Sequence, residues 1–149
     1  LRNDPTYAEK ARVVSERALD LFEVLAKEDL EAIRIQDEGR TAFHCPCTLQ
    51  HAQRLGGLAQ QVLTRLGFNL TPVPDAHLCC GSAGTYSLTQ PELSQRLRDK
   101  KLDALESGRP DRIITANIGC QTHLDAAGRT PVRHWIEWVD EALTASAKN

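Results

Sequence analysis

The chain has 149 residues, a net charge of −2 and 41% hydrophobic residues, which suits one domain with one core that needs no disulfides to fold. Acidic and basic residues are mixed, which argues against nucleic acid, since binding the phosphate backbone requires a basic face. No apolar run approaches the roughly 18 residues of a membrane span, and no signal peptide is visible. Because the chain lacks Met and begins with Leu1, we expect residues 1–149 to be a fragment of a longer protein.

Hydrophobic periodicity predicts helices that alternate with short strands. Thr6 and Glu9 form a capping box at the start of the first helix. Pro72 places the second strand at an edge of the sheet or ends it early. In chain order we predict a helix at 6–36, a strand at 41–43, a helix ending at Gly67, a strand at 68–73, a helix at 91–106, a strand at 112–116, a short helix before Gly128, a strand at 132–134 and a last helix ending near residue 144.

This alternation is typical of a parallel sheet that is covered on both faces. We therefore predict an α/β fold with three layers. Its centre is a mostly parallel sheet of about four strands, with helices on both faces.

The five cysteines all fall where a strand leads into the next helix. In a parallel sheet these junctions lie at one edge, beyond the carboxyl ends of the strands, where open α/β sheets bind ligands. Thiols that are tens of residues apart should therefore converge. The first junction holds Cys45 and Cys47, the second holds Cys79 and Cys80, and the third holds Cys120.

Converging thiolates repel one another unless a cation lies among them, which favours a metal centre. Cys79 and Cys80 are adjacent, so an ordinary disulfide between them would be strained. Each can bind a different iron, which favours a polynuclear iron–sulfur centre over one zinc ion. His123 follows Cys120 at a helical spacing that places both side chains on one side, so it is a candidate ligand or a proton-active neighbour of the centre. A thiol–disulfide enzyme is the least favoured interpretation, because the chain has no C-x-x-C pair.

Other side chains near the junctions are interpreted as structural. His44, His51 and His77 are expected to be caps or hydrogen-bond partners rather than ligands. The two tryptophans are expected to be core or interface anchors. The charged stretch at 96–101 is predicted to be a solvated helix face.

The cysteine pattern resembles the cysteine-rich CCG family, which includes the B subunit of heterodisulfide reductase and several lactate and glycolate oxidoreductases. Within it, the chain is most similar to the C-terminal cysteine-rich domain of glycolate oxidase iron–sulfur subunits. The resemblance covers essentially the whole chain. The stretches that carry it are HCPCTLQH at 44–51, LCCGSAGTY at 78–86, NIGCQTHL at 117–124 and VRHWIE at 132–137.

The resemblance implies a cluster of the 4Fe–4S type, and zinc is the alternative metal. The implied ligands are Cys47, Cys79, Cys80 and Cys120. His123 stands where the family has its last cysteine, which leaves the family's ligand set incomplete. Cys45 is an additional thiol that either substitutes for the lost cysteine or is inert.

The implied function is electron transfer in a glycolate oxidase, also called glycolate dehydrogenase. Flavin-containing subunits would oxidise glycolate to glyoxylate, and this iron–sulfur domain, inactive alone, would pass electrons towards a quinone or another acceptor. The implied location is cytoplasmic, which includes peripheral attachment at the inner face of the membrane. The alternative function is a zinc domain without redox activity, either structural or for docking to a partner subunit.

Overall fold

The strands of this chain form one four-stranded, all-parallel sheet in the computed structural model, which describes residues 1–35 and 39–146. The strands are β1 at Arg40–His44, β2 at Asn69–Leu70, β3 at Arg112–Thr115 and β4 at Val132–His134. They lie in the order β2-β1-β3-β4. The first strand, β1, therefore lies inside the sheet, and the two-residue strand β2 lies at one edge. This confirms the predicted α/β fold and the edge position of the second strand.

Helices pack on both faces of the sheet, which makes the predicted three layers. The helices are α1 at Ala8–Arg17, α2 at Leu21–Leu25, α3 at Gly56–Arg65, α4 at Tyr86–Thr89, α5 at Pro91–Glu106, α6 at Ile118–Asp125 and α7 at Trp135–Ser146. Helices α2, α3 and α7 share one core cluster with Phe43 and Ile114. Helices α5 and α6 share the other with Ala42 and Ile113, because successive residues of a strand point to opposite faces. Within the described ranges, no helix combines the length and hydropathy that crossing a membrane requires.

The predicted helix at 6–36 is wrong in extent. Helix α1 ends at Arg17, Ala18 is extended, and α2 begins after Asp20. The capping box lies there rather than at Thr6: Asp20 Oδ1 accepts from the backbone N–H of Phe22, and Glu23 Oε2 accepts from that of Asp20. This reorients the chain so that Phe22 enters the core, whereas α1 buries none of its residues. Residue 36 lies outside the described residues.

The helix predicted to end at Gly67 is also divided. A single π-helical turn at Thr48–Ala52 follows the first cysteines, and α3 begins only at Gly56. Between them Arg54 has a φ of 60°, which breaks the helix. The Gly56 backbone packs against the thiol of Cys45, and a Cβ at Gly56 would lie 3.4 Å from Cys45 Sγ. The thiol-bearing segment is thus held against the start of α3.

The N-terminal segment docks through Phe22, whose ring stacks on Trp135 with a centroid distance of 4.6 Å. Phe22 is 1% exposed, whereas Tyr7, which directly precedes α1, is 49% exposed. We expect Phe22→Ala to lower the free energy of unfolding by about 3–5 kcal/mol, because it removes a buried ring and leaves a cavity. Tyr7→Ala should change it by less than about 0.5 kcal/mol. Urea unfolding measures both, and equal losses would contradict this packing.

Candidate metal centre

The thiols meet at the point in the sheet where the connections diverge. Strands β1 and β3 are neighbours, and their last residues, His44 and Thr115, are paired. The chain leaves β1 through α3 towards β2, and leaves β3 through α6 towards β4 on the other side. In open α/β sheets such a divergence leaves a crevice beyond the strand ends, where ligands bind. This topology explains why the cysteines converge at this edge, as the sequence predicts.

Cys80, Cys120 and His44 form the buried part of the site. The sulfurs of Cys80 and Cys120, defined here as the inner pair, are hydrogen-bonded at 3.2 Å. A ring nitrogen of His44 lies within 4.8 Å of both sulfurs. His44 is 0% exposed. Among the described residues, neither of its ring nitrogens has a hydrogen-bond partner. A buried imidazole normally finds a partner, so this group is suited to holding a metal ion.

The inner pair shares a single proton at neutral pH. The hydrogen bond between the two sulfurs lowers the pKa of Cys80 most, and His44 and the backbone N–H of Ser82 lower it further. The same interaction raises the pKa of Cys120. Burial lowers the pKa of His44, so the ring is neutral and can act as a ligand. These directions favour a thiolate at Cys80 facing a neutral imidazole at His44.

Cys47 and Cys79 lie on the solvent side of the inner pair and are defined here as the outer pair. Cys47 is exposed and Cys79 is half-buried. Burial raises the pKa of Cys47, and the charges of Cys79 and Cys80 raise it further. The N–H of Gly81 donates to Cys79 Sγ at 3.3 Å. All four cysteines that the resemblance implies as ligands are thus close enough to act on one another.

The Cys79-Cys80 loop is held in place by α5. Gly81 has a φ of +89°, and a Cβ there would overlap the carbonyl oxygen of Ser94. Ser94 Oγ donates to the Gly81 carbonyl at 2.8 Å. On the other side, Asn117 Oδ1 accepts from the N–H of Cys120 at 3.1 Å and so caps α6. Two helices therefore fix the positions of the inner pair.

The two residues whose roles the sequence left open are placed differently. His123 Nε2 lies 3.1 Å from Ser94 Oγ, and His123 does not belong to the buried group of potential ligands among the described residues. Its predicted ligation stays a prediction. Cys45 is buried, which raises the pKa of its thiol to about 11, and it packs towards Gly56. His123 thus contacts Ser94, the residue that holds the Cys79-Cys80 loop. Burial keeps Cys45 protonated.

Sequence reasoning missed His44 and Lys101. His44 belongs to the first quoted stretch, but only the structure shows that its ring turns towards the thiols. Lys101 is 1% exposed, so its assignment to a solvated helix face is wrong. The sequence carried no local signal for its burial, because the nearest buried residue two turns earlier on the same face of α5, Ser94, is also polar.

Comparisons with known proteins give a matching family and several related proteins. The family described as "Cysteine-rich domain", CCG, matches residues 41–125. The glycolate oxidase iron–sulfur subunit of Escherichia coli is 65% identical over 143 residues, which is 96% of this chain and 35% of that protein. Lactate utilization protein A of Geobacillus thermodenitrificans is 31% identical over 128 residues, 80% of this chain and 51% of that protein. The chain spans about a third to a half of the length of these relatives.

Gly81 and Gly84 provide a matched test of the loop. Both have positive φ, but a Cβ at Gly84 would meet open space. We expect Gly84→Ala to cost about 1–2 kcal/mol in the free energy of unfolding, from backbone strain alone. Gly81→Ala should cost roughly 1–3 kcal/mol more, because the added methyl overpacks against α5. Chemical denaturation measures the difference, and equal losses would show that α5 does not constrain the loop.

The shared proton of the inner pair also has a measurable consequence. In the reduced, metal-free chain we expect about one thiolate at neutral pH. Because the folded-state pKa of Cys80 is lowered, that thiolate should persist as the pH falls below neutral and protonate only near the shifted pKa. Ultraviolet thiolate absorbance measures it. Cys80→Ser should abolish the signal and Cys45→Ser should leave it, whereas the opposite pattern would disprove the assignment.

Proposed function

The chain belongs to the family of cysteine-rich CCG domains, and from this premise we propose that it is an iron–sulfur electron-transfer domain of a glycolate oxidase complex. The observation that carries the proposal is the proximity of four thiols from three separate junctions, which interact with one another at one edge of the sheet. The name of the Escherichia coli relative supports both the cofactor and the complex. Residues 1–149 would act as one domain of a longer iron–sulfur subunit.

The proposed ligands are the inner pair and the outer pair, which are Cys47, Cys79, Cys80 and Cys120. These four thiols fit a cluster of several irons better than a single ion. The reason is that Cys79 and Cys80 are neighbours in sequence whose side chains leave the backbone in different directions, so each can bind a different iron. His44 is a further candidate donor, since its ring faces the sulfurs without another partner. Ligation by His123 through Nε2 would require that atom to leave Ser94 Oγ.

An iron–sulfur cluster bound here would supply one-electron redox chemistry. The protein excludes water on one side, where Cys80 and Cys120 are buried, and opens the site on the other, where Cys47 is exposed. The Gly81 N–H that donates to Cys79 is of the kind that tunes the potential of cysteine-bound clusters. Electrons would enter or leave on the side of Cys47.

The proposed partners are the flavin-containing subunits of the same complex, which would oxidise glycolate to glyoxylate and deliver the electrons. A quinone or a similar acceptor would receive them. The name of the relative as a subunit supports an assembly with other chains. We place the complex in the cytoplasm, including peripheral attachment at the inner face of the membrane.

A zinc domain without redox activity is the second candidate. It is favoured by the buried group of His44, Cys80 and Cys120, whose ligand atoms lie within 4.8 Å of one another. A structural zinc ion takes four nitrogen or sulfur ligands in a tetrahedron, so Cys47 or Cys79 would complete this set. Quantifying iron, zinc and acid-labile sulfide in protein prepared without oxygen separates the two candidates.

Replacing the paired cysteines tests the cluster directly. We expect Cys79→Ala and Cys80→Ala each to abolish, or lower at least about tenfold, the iron and sulfide bound after anaerobic reconstitution, because each removes a thiolate ligand. The EPR signal of the reduced protein should disappear with the iron. Cys45→Ala is the matched control, since it removes a buried thiol that stays protonated.

Wild-type iron and sulfide content with full retention in Cys45→Ala would support the proposal. An unchanged EPR signal in the double variant Cys79→Ala, Cys80→Ala would contradict it. One zinc ion per chain, with no sulfide and with melting on chelation, would favour the second candidate.

A further inference from the structure

Lys101 is a buried basic residue near the cysteines. The proposed electron-transfer function does not yet give this lysine a role. It lies on α5, one residue before Leu102, which shares a core cluster with Cys80. The ammonium group donates to the carbonyl oxygen of Ala76 at 2.9 Å. Ala76 lies three residues before Cys79 in the same loop, so the contact fastens the strand-side end of that loop to α5.

The burial of this charge requires a compensating interaction. Transferring an ammonium group out of water costs several kcal/mol unless an opposite charge or a set of hydrogen bonds compensates. The hydrogen bond to Ala76 is one neutral contact. Burial lowers the pKa of Lys101, and the neighbouring cysteines, Cys80 among them, act against this shift. The Cys80 thiolate is thus an anionic group that stabilises the charged form of this lysine.

The loop between Ala76 and Gly81 is bound to α5 at both ends. Lys101 holds the Ala76 end, and Ser94, two helical turns earlier, holds the Gly81 end. Cys79 and Cys80 lie between these two anchors. An apolar side chain at 101 would fill the same space without the desolvation cost, so a lysine here indicates a role for its charge.

We infer that Lys101 is a positioning residue of the metal centre, where its buried ammonium group balances the negative charge of the thiolate-bound cluster and raises its reduction potential. The inference rests on the proposed iron–sulfur function. The physical reason is that reduction adds negative charge to the cluster, and a nearby positive charge in a medium of low dielectric constant favours the reduced state.

The test compares four forms of the chain, each reconstituted with iron and sulfide without oxygen: the wild type, Lys101→Met, Lys101→Arg and Lys100→Met. Met has a similar length without charge, Arg keeps the charge, and Lys100 is an exposed neighbour on the same helix. The readouts are iron content, the midpoint potential from EPR-monitored redox titration, and hydrogen exchange of the loop amides. Lys101→Gln is prepared as a second neutral variant that keeps a hydrogen-bond donor.

We expect both neutral variants at 101 to bind iron and to lower the reduction equilibrium constant by about tenfold, equivalent to about 59 mV for a one-electron couple. The Arg and Lys100→Met forms should stay close to the wild type. If Lys101→Met fails to fold, the comparison of Gln with Arg gives the same test. Loop exchange should increase in Lys101→Met more than in Lys101→Gln.

Equal potentials in all loaded forms would overturn the role of Lys101 and leave the iron–sulfur proposal standing. A wild-type chain that binds no iron and sulfide would overturn both. If Lys101→Arg lowers the potential as much as Lys101→Met does, packing rather than charge sets the potential. That result would also overturn the inference.

Discussion

Repulsion between neighbouring thiolates, and what relieves it, is the interaction on which this end of the sheet depends. Parallel pairing of β1 with both β2 and β3 directs the segments after these strands to one edge of the sheet, where the sulfurs of Cys80 and Cys120 lie 3.2 Å apart. A shared proton relieves the repulsion in the metal-free protein, with His44 and Lys101 as the nearby nitrogen groups. A metal centre would relieve it more completely. The folding topology therefore creates the chemical need that a bound cluster satisfies.

Rigid support around the thiols follows from the same need. The loop that carries Cys79 and Cys80 has few side chains of its own to pack, so α5 holds it through Ser94 and Lys101. Gly81 permits the close approach of the two backbones. His123 reaches the same serine from α6. His123 is thus connected to the loop through Ser94.

The sequence was sufficient to predict the parallel sheet, the span of α5 from Pro91 to Glu106 and the convergence of the cysteines, because each follows from local periodicity and one topological rule. Long-range packing decided the rest. Two capping-box patterns compete near the N-terminus, and the burial of Phe22 selects the one at Asp20. Local periodicity likewise could not show that the loop at 76–81 crosses α5 and buries Lys101.

The central claim is that the inner and outer pairs share one inorganic centre. X-ray absorption at the iron edge, on the wild-type chain purified and loaded without oxygen, tests it most directly because it reports the atoms around each iron. The account predicts a shell dominated by sulfur, together with a second shell of neighbouring iron. A shell of oxygen and nitrogen atoms, with no neighbouring iron, would contradict it.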